Sequence, residues 1–310
     1  MFRRNYLGLD VSREGLRAIT VRRRGSRVEI CGGRTMTFGD DLLQPSVLEP
    51  NIRQPDKFVE SVREVLEPLA KREKRVAVAL PDSVGHLYLL SIDTPFKNHA
   101  EGLEIVRWQL KELLPPQLKN YTLDYQVIGN RDSGERHVLA SVMAVDVLRQ
   151  YEELLSVAGF SAALIDFHAL NLYDAYHSRV ELGNDFFLVG VDDDQLCLLA
   201  FENRQLDLCR TKTVTRDPER IFQEINRSMV AYRSSHGSMS RMKIHLHSNW
   251  SDTDELLQAV QSSFDRPVEL LPSPLQQLGG AQKLNITAAD SFSMAAALGV
   301  AERMIQRVSQ

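Results

Sequence analysis

A chain of 310 residues, 43% of them hydrophobic, can build two packed domains rather than one. Its net charge of −4 excludes the bulk positive field with which proteins gather nucleic acid. Three widely spaced cysteines, Cys31, Cys197 and Cys209, fit a reducing compartment and form neither a disulfide framework nor a zinc knuckle.

Met1-Phe2-Arg3-Arg4-Asn5 leads straight into a strand, without the apolar stretch or cleavage site of a signal peptide. No apolar run reaches the ~20 residues that cross a bilayer, so a cytoplasmic protein is expected. Residues 5–38 read as a β-meander with strands at 6–9, 16–21 and 27–31, punctuated by Gly25 and Gly32-Gly33. The run Arg22-Arg23-Arg24 ahead of Gly25-Ser26 reads as a solvated hairpin tip. Stable anchoring to anionic lipid calls for a larger cluster.

A helix from Asp56 carries Phe58, Val59, Val62, Val65, Leu66 and Leu69 on one stripe, and Pro68 is expected to kink or end it. Strands follow at 75–80 and 87–92. The next helix opens on a capping-box-like pair, Asn98 and Glu101. It carries Ile105, Trp108 and Leu113, with Trp108 expected as a core anchor, and stops at Pro115-Pro116. Strands at 122–128 and 137–143 flank a turn-rich segment. A helix from Asp146 ends at Gly159, a good capping residue, and a strand at 163–167 closes the block.

The second half repeats the plan. Strands at 186–191, 196–201 and 205–214 precede a helix near Asp217-Pro218, where proline suits the first position. A strand at 242–246, a helix from Asp252 and a short strand at 268–271 follow. Residues 288–308 read as one helix whose Ala295-Ala296-Ala297 lets it lie close on a sheet. The expected organisation is a first-lobe core of 1–39 with 167–185, an inserted α+β subdomain at 40–166, a second lobe at 186–287, and a C-terminal helix at 288–310 packing back on the core.

One pattern is stated twice. Leu7-Gly8-Leu9-Asp10 turns into an apolar strand, and so does Val189-Gly190-Val191-Asp192. Two such aspartate-bearing hairpins imply two related lobes facing across a cleft. That is the outline of an α/β chain with the actin-like ATPase fold.

In such a cleft each aspartate would orient a metal-bound water. The loop behind it needs small residues, so that backbone N–H groups can reach phosphate oxygens. Asp10, Ser12 and Arg17 from the first hairpin, with Asp192 and Asp193 from the second, are the candidate nucleotide-binding residues. A Mg²⁺ accompanying ATP would sit near Asp10 and Asp192. Yet Ser12 stands where glycine is expected, and Arg13 and Glu14 add bulk. Asp192-Asp193-Asp194 would repel a triphosphate, and Trp250 fills the turn where the nucleoside would dock. These loops predict no working ATPase and no required cofactor.

The triple aspartate could serve a hard cation, but a tight hairpin also favours aspartate, and that reading is preferred. His245 and His247 point the same way from one strand, with His236 upstream, and lack further zinc ligands. No phosphate-binding loop, nucleophile elbow or HExxH is present. Nothing nominates a catalytic nucleophile or a resident metal.

Several stretches resemble the PilM family of type IV pilus assembly, and its relatives MshI and the cytoplasmic part of GspL. They are Leu114-Pro115 with Leu123-Asp124-Tyr125-Gln126-Val127, Ala158-Gly159-Phe160 with Ile165-Asp166, and Glu224-Ile225-Asn226-Arg227-Ser228-Met229 with Tyr232-Arg233-Ser234. Arg266-Pro267-Val268-Glu269 completes the set. The resemblance implies a non-catalytic scaffold, peripheral to the cytoplasmic face of the inner membrane. It further implies a groove beside the inserted subdomain that binds the short N-terminal cytoplasmic peptide of a PilN-like bitopic protein. A cytoplasmic assembly ATPase is a second candidate partner, and type II secretion is an alternative setting. The alternative reading is an ATP-binding enzyme, an ATPase or sugar kinase, using Asp10 and Asp192 with Mg²⁺.

Overall fold

The computed structural model describes residues 4–308 except 26, 40, 132, 236–240 and 285. Strand β1 (Asn5–Val11) is buried on both faces, which is why it reads as an unbroken apolar run rather than an alternating one. It pairs antiparallel with β2 (Gly15–Arg24), and β2 pairs with β3 (Arg27–Thr37). On its other side β1 runs parallel to β4 (Arg75–Leu80). That connection passes through helix α1 (Pro55–Ala70), because parallel strands need a long crossover.

The inserted sheet is built from β5 (His86–Ile92), β6 (Tyr121–Asn130) and β7 (Arg136–Ala144), in the order β5-β7-β6. Helix α2 (His99–Leu110) precedes β6, and α3 (Val145–Val157) leads to β8 (Ser161–Phe167). Strand β8 joins β4 in parallel, which completes a five-stranded sheet β3-β2-β1-β4-β8. The sheet that stands apart therefore lies within 86–144, narrower than the expected 40–166. Strands β4 and β8 fall inside that range but hydrogen-bond into the first lobe.

Helix α4 (His168–His177) then leads to the second lobe, whose strands are β9 (Phe186–Asp192), β10 (Gln195–Glu202), β11 (Gln205–Thr213), β12 (Lys243–Ser248) and β13 (Glu269–Leu270). Their order, β11-β10-β9-β12-β13, repeats that of the first sheet. Helices α5 (Pro218–Ser235) and α6 (Thr253–Phe264) cover the outer face.

The alternation of side chains along buried strands sorts the core into layers. Val76, Val78 and Leu80 of β4 pack with α1 and α3, while Ala77 and Ala79 face α4 and the C-terminal helix. In β9, Phe186 and Leu188 face that same central layer, and Phe187, Val189 and Val191 face α5 and α6. The central helices are thus sandwiched between the two sheets, and one apolar core serves both lobes.

Three expectations change. The last segment is two helices, α7 (Ala288–Ser293) and α8 (Ala295–Val308), separated at the buried Met294. Helix α1 runs on past Pro68 to Ala70. Trp108 is 76% exposed. Helix α2 buries Gly102, Val106 and Leu110, and a residue two positions from that stripe points ~200° away from it. Among the described residues no helix is long and apolar enough to cross a membrane.

The glycines of the repeated motif both permit close helix approach. A Cβ on Gly8 would lie 2.1 Å from the Ala297 carbonyl oxygen of α8. One on Gly190 would lie 2.5 Å from Leu172 Cδ2 of α4. Gly8→Ala must therefore push α8 off its strand, with an expected loss of about 1–3 kcal/mol of stability. Urea unfolding checks this, and an unchanged midpoint would show that α8 is not seated as described.

Candidate functional site: a cleft closed by its own charges

The site forms at the carboxyl ends of the parallel strands, where open α/β sheets gather their polar groups. Strand β1 ends near Asp10, β4 is followed by Asp82, β8 by His168, and β9 ends at Asp192. His247 lies near the end of β12. All five are buried.

His168, the first residue of α4, stands between the two hairpin aspartates. Its Nδ1 lies 2.9 Å from Asp10 Oδ1 and its Nε2 lies 2.9 Å from Asp192 Oδ2. A neutral imidazole has one N–H, so two carboxylate partners require the imidazolium. Burial by itself would lower the His168 pKa, but the charges and hydrogen bonds of Asp10 and Asp192 outweigh it and raise the pKa well above the ordinary value. Asp192 shows the complement. Burial works to raise its pKa, yet His247 and His168 hold the carboxyl well below the usual range. His247 Nε2 lies 3.0 Å from both Asp192 oxygens, and its Nδ1 is 2.8 Å from the Tyr176 hydroxyl.

A second layer lies over this chain. Arg17 of β2 donates to Asp193 Oδ1 at 2.9 Å and lies 2.6 Å from Oδ2. It also donates to Ser12 Oγ at 2.5 Å and sits 3.7 Å from Asp10 Oδ2. Glu14 accepts from Arg216 at 2.7 Å, and Arg13 lies 3.6 Å from Asp194. The bulky charges of the first loop are therefore each met by an opposite charge from the second lobe. Arg13 and Arg216 are more than half exposed, and such pairs contribute at most ~1 kcal/mol each. The buried Arg17–Asp193 contact is the firmer clasp.

The structure brings together all five candidate residues, Asp10, Ser12, Arg17, Asp192 and Asp193, but as partners of one another. An imidazolium occupies the position between the aspartates where Mg²⁺ would have to bind. Asp10 Oδ2 lacks a hydrogen bond but faces the Arg17 guanidinium. The loop amides that would have to meet phosphates are engaged as well. Glu14 N and Gly15 N donate to Ser12 Oγ, and Asp193 N donates to Asn249 Oδ1 at 3.0 Å. The Trp250 indole donates to the Asp193 carbonyl at 2.9 Å. The residues present do not fit Mg-ATP, and no phosphoryl chemistry follows from them. Among the described residues, no group of three or more His, Cys, Asp or Glu side chains is arranged to hold a metal.

His245 is also buried, and its Nε2 lies 3.0 Å from the Leu182 carbonyl. His236 lies outside the described residues. His168 and Tyr176 are the functional residues that sequence reading missed. The signal for His168 was positional, since it directly follows a parallel strand, as Asp82 follows another one residue later.

Residues 8–185 match the family model for type IV pilus assembly protein PilM. The chain belongs to that family. The PilM-PilN type IV pilus biogenesis complex contains a chain with TM-score 0.79 and 16% identity, covering 96% of this chain and 98% of that one. A Bacteroides thetaiotaomicron protein with the actin-like ATPase fold and unknown function gives TM-score 0.55 at 13% identity, covering 86% and 90%. The cytoplasmic domain of EpsL, an inner-membrane component of the Vibrio cholerae type II secretion system, gives 0.53 at 9%, covering 94% of each chain. At these identities the likeness establishes the actin-like fold. No curated protein matches the chain.

His168→Gln would leave Asp10 and Asp192 buried without their shared cation, with an expected loss of about 3–5 kcal/mol. The pH dependence separates charge from packing. A raised histidine pKa gives stability that is complete below the unfolded value of ~6.5 and is lost as pH rises toward the folded value. Asp82, pushed up to about 6 by burial, has finished titrating by about pH 7. Buried Cys197 and Cys209, both pushed up by burial, add a slope of the same sign only near and above ~8.5, where unfolded thiols titrate. Between about pH 7 and 8 the natural chain should therefore lose urea stability while the Gln variant stays flat. Parallel slopes would disprove the imidazolium.

Proposed function

We propose that this chain is a non-catalytic actin-like scaffold of type IV pilus assembly that captures the short cytoplasmic tail of a PilN-like bitopic inner-membrane protein. The observation that carries this reading is a groove of about 260 Å³ between the first-lobe sheet and the inserted sheet. One wall is β8 from Ala162 to Phe167, and the other holds Thr122 and Asp124 of β6 with Val142 and Met143 of β7. Strand β8 ends its sheet and β6 ends the inserted one, so each offers an outer edge to an added chain. An extended peptide suits such a place, because main-chain hydrogen bonds supply affinity and alternate side chains supply selectivity. Leu148 and Leu164 contribute apolar lining, Asp124 and Glu152 add acid, Arg307 adds a cation, and Asp166 is paired with Arg303 at 2.9 Å. The matching tail is extended and apolar at alternate positions.

The closed cleft supports the non-catalytic half of the reading. Its charges are spent on holding two lobes together, which suits a rigid adaptor rather than an enzyme that must admit a nucleotide.

Calorimetry with a PilN-type tail peptide tests the groove. The natural chain should bind, and Ser141→Trp, which places an indole in the groove, should weaken binding at least about tenfold with little change in thermal midpoint. Retention of no tail by the natural chain would end the proposal. Millimolar Mg-ATP should leave the thermal midpoint unmoved, since a ligand of the folded state must raise it. A clear rise would favour the ATP-binding enzyme instead.

A further inference from the structure

We infer that the pole of the first lobe opposite the cleft docks on anionic phospholipid headgroups. Two segments distant in sequence build this pole. One is the β2–β3 hairpin, with Arg22, Arg23, Arg24 and Arg27. The other is the loop from α1 to β4, with Lys71, Arg72, Lys74 and Arg75. The register brings them to the same end of the sheet. Asn5 of β1 pairs with Arg22 on one side, and Leu7 pairs with Val76 on the other.

Two acids at this end, Glu29 and Glu73, are engaged. Glu29 accepts from Arg22 at 3.0 Å, while Glu73 accepts from Arg4 at 3.2 Å and from Arg75 at 3.1 Å. Glu67 lies one turn before Lys71 on α1 and is the nearest further acid along the chain. Arg23, Arg24, Arg27, Lys71, Arg72 and Lys74 are exposed, on a protein of net charge −4. A cluster of this size meets the requirement that the arginine run alone did not, since groups of 4–8 Lys and Arg hold to acidic lipid. Asp10 lies five strand residues from Asn5, so the pole is ~17 Å from the cleft and does not draw on its charges.

A membrane is favoured over other polyanions by what adjoins the pole. Val157, 60% exposed, ends α3, and the turn after it reaches the pole, where Lys74 sits 4.9 Å over the Phe160 ring and the Lys74 carbonyl accepts from the Ser161 N–H at 2.8 Å. An exposed apolar side chain beside cations suits the headgroup boundary. Arg75 also pairs with Ser161, the first residue of β8, so the groove that begins at Ala162 opens toward this pole. A tail leaving a bilayer would then enter the groove from the side that faces the lipid. This orientation rests on the proposed tail-binding reading, whereas the lipid contact does not.

Vesicle flotation of the full chain, without any partner, tests the contact. The chain should bind vesicles of about 30% phosphatidylglycerol in phosphatidylcholine, ignore pure phosphatidylcholine, and be released between about 0.1 M and 0.5 M NaCl. The exposed reversals R24E, R27E, K71E and R72E together should lower partitioning at least about tenfold while leaving tail binding intact. Ser141→Trp should show the converse pattern, so the two readings fail separately. Absent binding, equal binding to neutral vesicles, or undiminished binding by the reversed variant would each overturn the inference. A shift of duplex DNA without vesicle binding would assign the pole to nucleic acid instead.

Discussion

Two carboxylates delivered to one dry cleft by symmetry-related strands cannot both stay ionised without a cation between them. In an actin-like nucleotide site that cation would arrive with the ligand. Here the chain carries it, as the ring of His168, and much of the arrangement around the cleft depends on this. Because the imidazolium touches one aspartate from each lobe, the lobes are held at the distance of a single ring. The outer loops can then close over it, and Arg17 and Arg216 find their acids across the gap. A buried ion pair is weak evidence of net stability, but removing one member of it is costly. The network therefore fixes a geometry more than it adds strength.

The inserted sheet is tied to both lobes. It rises from the first between β4 and β8, and its far end meets the second, where Arg131 lies 2.5 Å from Asp207 of β11 and 3.0 Å from His137 Nε2. A peptide wedged between β8 and the inserted sheet would therefore press on a body that is braced against the opposite lobe. With the cleft clasped and the insertion braced, a load applied at the groove passes into a stiff frame. Such a frame is what the proposed scaffold reading requires.

The sequence carried a great deal of this. Repeated Leu-Gly-Leu-Asp and Val-Gly-Val-Asp located both central strands and their aspartates, because strands buried on both faces are continuous apolar runs. The extent of the insertion was misread because parallel pairing of β4 and β8 leaves no local trace. Helix α4 went unseen, being short and without a clean apolar stripe, since polar His168 and Asn171 are buried along with Ala169, Leu172, Ala175 and Tyr176. Missing α4 meant missing His168, so the first loop looked like a ruined phosphate cradle. Arg13, Glu14 and Arg17 gained their meaning only when the second lobe supplied Asp193, Asp194 and Arg216. Trp108 was misplaced because an aromatic on an amphipathic helix is a core residue by default, and only the stripe actually buried decides.

Gly8 and Gly190 carry one last implication. Both glycines of the duplicated motif exist for the backbones and side chains of the helices beneath them, Ala297 on α8 and Leu172 on α4. Neither is aimed at the cleft. A chain built this way can lose every trace of ligand chemistry above the sheet and still be unable to exchange these two residues for anything larger. The paired motif is thus a record of how helices nest against strands, and finding it in another chain would say nothing about whether a nucleotide is held there.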